Sequence, residues 1–329
     1  MDSKVTKPSP GKYVLMLTFS KEEEETERVR AARALGAKIK MPGFRPGKAP
    51  LEELLRHIDP QQLLDRVVRM LVKTHLAECI AKEGINPIIP PRIALKSLAP
   101  LSTEITLIER PDIQMSSPKK LTDPRKGINV TAKEIDTVIE ELQKKESLKE
   151  LTDELVKKHW EVPTVAEFKK QVEKSIYMRK QREGQQKQEQ ELFQNVVSAV
   201  KTKFPEELIE EEAQRMLENM LQRLSNDTQR EQWLKKQEEH KDQFIKELNE
   251  EAEKQLKFQF GIAKLTKDMN ISISHEEMQE SITAFLQMFP QKEQENIREQ
   301  CHPGGSAYQQ LHWQKTIEKV KKELTPSAT

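Results

Sequence analysis

The chain has few of the features that enzymes and membrane proteins depend on. Aromatic residues make up 5% of its 329 positions, and it holds ten glycines and two cysteines. So few aromatics with a third of the residues charged point to long solvated helices rather than one compact globule. No run of about 18 apolar residues occurs, which excludes a spanning helix. The stretch Met1–Pro10 lacks an apolar segment of secretory type. Cys79 and Cys301 lie too far apart in sequence to suggest a disulfide framework, so a reducing cytoplasm is expected. Neither an HExxH nor a GxSxG motif is present. Gly43 to Lys48 fails as a phosphate loop, because only three residues separate its glycines and Ala49 stands where Ser or Thr is needed. Cys301, His302 and His312 lack two further ligands at metal-site spacing. No cofactor, no metal and no catalytic residue is expected.

What is present is a stiff loop at a basic end. Gly43-Phe44-Arg45-Pro46-Gly47-Lys48-Ala49-Pro50 combines two glycines, two prolines, two cations and one large aromatic, which a helix interior or central strand does not tolerate. The turn holds Phe44, Arg45 and Lys48 outward. Residues 28–73 carry 11 Lys/Arg against four Asp/Glu, a local net charge of +7 in a chain whose overall charge is +1. Such a concentration steers a protein toward nucleic acid or another polyanion, although a solvated basic face without a ligand reads the same way.

Around the loop the pattern is α+β. Tyr13–Phe19 reads as a strand, and Ser20 with Glu23 has the spacing of a capping box opening a helix toward Leu35–Ile39. A short helix is predicted at Leu51–His57. A longer one is capped by Asp59 with Pro60 in its first turn, and its wide apolar stripe from Leu63 to Ile80 must be buried. Ile88–Ile89, Ile93–Leu95 and Thr103–Ile108 are β-prone, the last two joined by a turn at Pro100. Residues 111–130 read as an extended linker, and Thr131 with Glu134 caps a helix after it. From Leu148 to Leu324 the pattern is helical, and the polar stretch Arg179–Glu191 should stand in solvent or bridge other helices. The expected domains are 1–110, a linker with its helix at 111–147, and a helical domain at 148–329.

Two stripes bear methionine at helical spacing. Met216, Leu217, Met220, Leu221 and Leu224 form one; Ile282, Phe285, Leu286, Met288 and Phe289 form the other. Flexible, polarizable methionine beside Leu and Phe suits an exposed face that accepts many apolar partners. The plainer reading makes both stripes ordinary buried helix faces.

The loop resembles the G-F-R-x-G-K-x-P signature of the trigger factor family, ribosome-associated bacterial chaperones. The resemblance continues through Ala81–Ile93, Ile128–Leu142, Leu151–Val172, Phe204–Leu224 and Met269–Phe289. It implies an α+β N-terminal ribosome-binding domain followed by an extended, mostly α-helical C-terminal chaperone domain with arms. It also implies docking through Gly43, Phe44, Arg45, Pro46, Gly47 and Lys48 to protein and ribosomal RNA of the large subunit at the tunnel exit. Nascent or unfolded polypeptides would be held, without ATP, on faces bearing Met216, Met220, Leu221, Leu224, Phe285, Leu286, Met288 and Phe289. Family members can dimerise off the ribosome. The family commonly inserts an FKBP-type prolyl isomerase domain after the linker; here residues 111–150 contain no Phe, Tyr or Trp, and isomerase activity is not expected. A helical holdase working free of the ribosome and an RNA-binding assembly scaffold are the competing readings.

Overall fold

The computed structural model describes residues 2–37, 44, 50–124, 126, 128–148, 150–224, 226–238 and 240–326, with four strands and twelve helices among them. The chain is mostly helical with a small N-terminal sheet. It divides into two compact units, Met1–Asp112 with Thr202–Leu256, and Ile113–Lys201 with Lys257–Thr329.

In the first unit, β1 (Asp2–Ser9), β2 (Lys12–Thr18), β3 (Arg92–Leu98) and β4 (Leu101–Ile108) form an antiparallel sheet in the order β1-β2-β4-β3. Strand β1 was not expected from sequence. Val5 is its one large apolar residue, so it carries no alternation, and Pro10-Gly11, with Gly11 at φ 77°, is its only sequence signal. Ile88 and Ile89, read as β-prone, lie outside the strands; the Ile88 N–H donates to the carbonyl of Ile108.

Helices α1 (Lys21–Gly36), α2 (Leu51–His57) and α3 (Pro60–Glu83) cover one sheet face. The capping box at α1 is complete, with Ser20 Oγ accepting from the Glu23 N–H at 3.3 Å and Glu23 accepting from the Ser20 N–H at 2.9 Å. The Ser20 backbone bond also holds the Glu23 carboxyl below the ordinary range, despite some burial. Helix α1 ends at Gly36, where an added Cβ would collide with the Leu54 side chain; Ile39, toward which it was expected to run, lies outside the described residues. Asp59 caps α3 at 3.1 Å from the Gln61 N–H, and Gly84 ends it in the left-handed conformation. The α3 stripe buries Leu63, Val67, Leu71 and Val72 against Leu15, Leu17, Ile105 and Leu107 of the sheet. At about 25 cal/mol per Å² of apolar area, this cluster is the main stabilising element of the unit. Cys79 is a small core residue within it. The unit is completed by α7 (Glu206–Gln222), α8 (Asp227–Glu238) and the residues of α9 (Lys241–Asp268) up to Leu256.

In the second unit, α4 (Ala132–Lys145), α5 (Asp153–Trp160) and α6 (Val165–Ala199) share a small core of Ile139, Val156, Phe168, Val172 and Ile176, with Trp160 stacked on Phe168 at 4.6 Å. The segment read as a linker is extended, but it is not free. Leu121 is buried beside Leu192, Val196 and Leu324. Backbone bonds tie Ser116 to Ala199 and Leu121 to Leu324, each at 2.9–3.0 Å. The polar stretch of α6 bridges, as expected: buried Gln188 donates to the Thr122 carbonyl and to Thr325 Oγ1. Gly184 faces Pro124 so closely that a Cβ would meet the proline carbonyl at 2.8 Å. Helices α10 (His275–Leu286), α11 (Gln291–Glu299) and α12 (Ser306–Leu324) pack around Met278, Ile282, Leu286, Cys301 and Leu311.

Candidate functional site

Of the loop, Phe44 lies among the described residues and is 43% exposed; Gly43, Arg45, Pro46, Gly47 and Lys48 lie outside them. An aromatic ring left that open near a chain surface is available to a partner. The flanking helices supply charge. Arg33 on α1 and Arg66, Arg69 and Lys73 on α3 are exposed, whereas Arg30 and Arg56 are paired within their own helices to Glu27 and Glu53.

The two methionine stripes separate in character. On α7, burial ends at Ala213; beyond it Met216, Leu217 and Leu221, and then Leu224 past the helix end, are half-buried and Met220 is exposed. Nearby, Trp233 meets Phe244 edge-on at 5.4 Å, and Ile245 is exposed. Here the stripe is an incompletely covered face. On α10, spacing of i, i+4 turns Met278, Ile282 and Leu286 into the core against Leu311, so Leu286 is a packing residue and not a surface one. Phe285 and Phe289 are half-buried and touch edge-to-face at 5.1 Å, while Met288 is 78% exposed. Phe285, Met288, Ala284, Ala307 and Leu311 line an open cleft of about 360 Å³ between α10 and α12. Ser281, Gln310, Gln314, Lys315 and Glu318 complete its lining, and the apolar side suits a short apolar side chain or two.

A polar cluster escaped the sequence reading. Lys12 Nζ lies 2.5 Å from Glu207 Oε1, and the Arg92 guanidinium lies 2.5 Å from Glu210 and donates to the Glu207 carbonyl at 3.1 Å. These bonds fasten the start of α7 to strands β2 and β3. Burial alone would push the Glu207 carboxyl up, but the Lys12 hydrogen bond, its own backbone N–H and the charges of Lys12 and Arg92 outweigh it and hold the carboxyl low. No sequence signal marks pairs separated by more than a hundred residues. Among the described residues, no three His, Cys, Asp or Glu side chains gather as a metal site, and Cys301 is buried with its thiol pushed up by desolvation. No helix among them is long and apolar enough to cross a membrane.

Residues 1–142 match the family model described as bacterial trigger factor protein, and residues 164–325 match that of the bacterial trigger factor C-terminus. The chain belongs to the trigger factor family. Trigger factor of Mycolicibacterium vanbaalenii is 32% identical over 148 residues, which is 44% of this chain and 31% of that protein. That of Carboxydothermus hydrogenoformans is 27% identical over 145 residues, 43% of this chain and 34% of the relative. These alignments thus span about a third of the curated relatives. A solved structure of the trigger factor chaperone, described for promiscuous substrate recognition in folding and assembly activities, shares the fold. Its TM-score is 0.58 at 16% identity, with 98% of this chain and 99% of that one covered. The two family regions lie 21 residues apart here, and those residues hold the end of α4 and all of α5. No FKBP domain intervenes.

Proposed function

We propose that this chain is an ATP-independent molecular chaperone that docks beside the ribosomal tunnel exit and holds nascent polypeptides without isomerising prolines. Residues 1–110 form its ribosome-binding domain, 111–147 the linker and 148–329 the chaperone domain, and it works in the cytoplasm. The observation that carries the holding activity is the α10–α12 cleft, where Met288 stands 78% exposed beside half-buried Phe285. Methionine there offers a deformable contact, so different apolar segments bind weakly and leave again. Exposed Phe44 amid the cations of α1 and α3 supports docking, the ring filling an apolar notch and the cations neutralising RNA phosphates. Large-subunit protein and ribosomal RNA are the partners at that end; two copies associate when the ribosome is absent.

Changing Phe44, Arg45 and Lys48 together to alanine is expected to abolish co-sedimentation with ribosomes while the melting temperature stays constant. Undiminished co-sedimentation overturns the docking role and leaves a ribosome-independent holdase. A protease-coupled prolyl isomerisation assay is expected to give the uncatalysed rate; acceleration overturns the non-enzymatic reading.

A further inference from the structure

The sheet of the first unit has two edges of opposite character. At β1, exposed Asp2, Lys4, Lys7 and Pro8 line the strand, devices that discourage another strand from pairing. At β3, the exposed residues include Ile93 (44%), Leu95 (43%) and Leu98 (62%), and among the described residues β3 pairs only with β4. The register sets Ile93 opposite Ile105 and Leu95 opposite Thr103. Directly paired residues share a face, so Ile93 and Leu95 stand in the same layer as two fully buried residues. The apolar face therefore continues past its helical cover onto the edge strand and stops there, open.

We propose that the free edge of β3 captures an extended, uncharged, apolar polypeptide segment as an added strand. Three observations select this occupant. A strand edge offers main-chain donors and acceptors at strand spacing, which an extended peptide satisfies and a helix does not. Side chains at alternate positions of the incoming segment fall beside Ile93 and Leu95 and prolong the buried layer. The cations flanking the edge are already engaged, Lys96 with Glu104 at 2.9 Å and Arg92 with Glu210, so nothing there calls for an acidic partner. The ladder shifts register between Leu95 and Ser97, which confines regular pairing to a few residues and keeps the complex short-lived. This site is separate from the α10–α12 cleft and recognises backbone as much as side chains.

The test uses the full chain and a fluorescent peptide of about eight residues alternating valine and threonine, a typical strand length. Binding is expected to slow amide hydrogen exchange across residues 92–98 and to leave residues 275–324 unchanged. The same peptide N-methylated at alternate amides is expected to lose binding, because it cannot complete the ladder. The double change Ile93→Lys with Leu95→Lys, at exposed positions, is expected to weaken binding about tenfold or more. Equal affinity for the N-methylated peptide overturns the proposal, and that arm needs only the unaltered protein. Protection confined to residues 275–324 also overturns it, as does sedimentation showing two copies joined through β3 and thereby excluding the peptide. None of these results bears on the cleft or on ribosome docking, which have their own variants.

Discussion

Helices α3 and α7 carry comparable apolar stripes and meet opposite fates. On α3, six residues from Leu63 to Cys79 are buried, because a sheet lies beneath them and α1 beside them. On α7, burial is limited to Leu208, Glu212 and Ala213 in the first half, and the Met/Leu half stays partly open. Periodicity gives a helix the capacity to bury a face. Whether it does so depends on what the rest of the chain brings to that face. An uncovered stripe on α7 is available to a partner, whereas in the N-terminal core it would be an aggregation hazard.

The largest effect expected from this contrast is at Leu71, which is 1% exposed. Leu71→Ala should cost about 3 kcal/mol, read from urea unfolding, whereas Met220→Ala on the open stripe should cost less than about 1 kcal/mol. Equal costs would break the comparison and make the α7 stripe a core. Glu207→Gln comes next. It leaves Lys12 without its charged partner, while Arg92 keeps Glu210, and about 1–2 kcal/mol should be lost. Because the folded carboxyl is held low, its contribution is complete above the ordinary carboxylate pKa. It disappears as the pH falls through the lowered value, so the wild-type and variant unfolding curves should converge in acid.

Smaller and opposite in sign is Thr103→Val. The Thr103 hydroxyl is fully buried without a hydrogen-bond partner, so an isosteric methyl should stabilise by about 1 kcal/mol in the same unfolding assay. Met288→Ser should leave stability within about 0.5 kcal/mol while weakening suppression of client aggregation, as expected of an exposed residue. If it destabilises instead, the α10–α12 cleft is part of the core and not a binding surface. The smallest effect is local. Lys180, and then the Thr131 N–H, hold the Glu134 carboxyl at about 2, and an NMR titration of Lys180→Met should show it rising toward the ordinary range. The folded state keeps that carboxylate charged above this value and loses the interaction only as pH falls through it.

Much of this is legible in the sequence. Both capping boxes, at Ser20 with Glu23 and at Thr131 with Glu134, form as their spacing demands, because capping is a matter of four consecutive residues. The α3 stripe and the hairpin through Pro100 follow from equally local rules. Strand β1 was missed because an edge strand hydrogen-bonds through its backbone and needs little apolar patterning. The segment around Leu121 reads only as an extended linker, because one leucine among polar residues gives no period. Only the groove formed by Leu192, Val196 and Leu324 makes it a core residue.

The sequence by itself determined the family, through the loop signature at 43–50, and the order of elements, through caps, prolines and periodicities that act over a few residues. The tertiary structure alone decided which faces are covered. Leu286 and Met288 lie two positions apart on α10 and in the turn after it; one is sealed against Leu311 and the other stands open. Ile93 and Ile105 pair across a ladder, and one is exposed while the other is not. Burial is set by neighbours remote in sequence, and those neighbours leave no mark on the residues they cover.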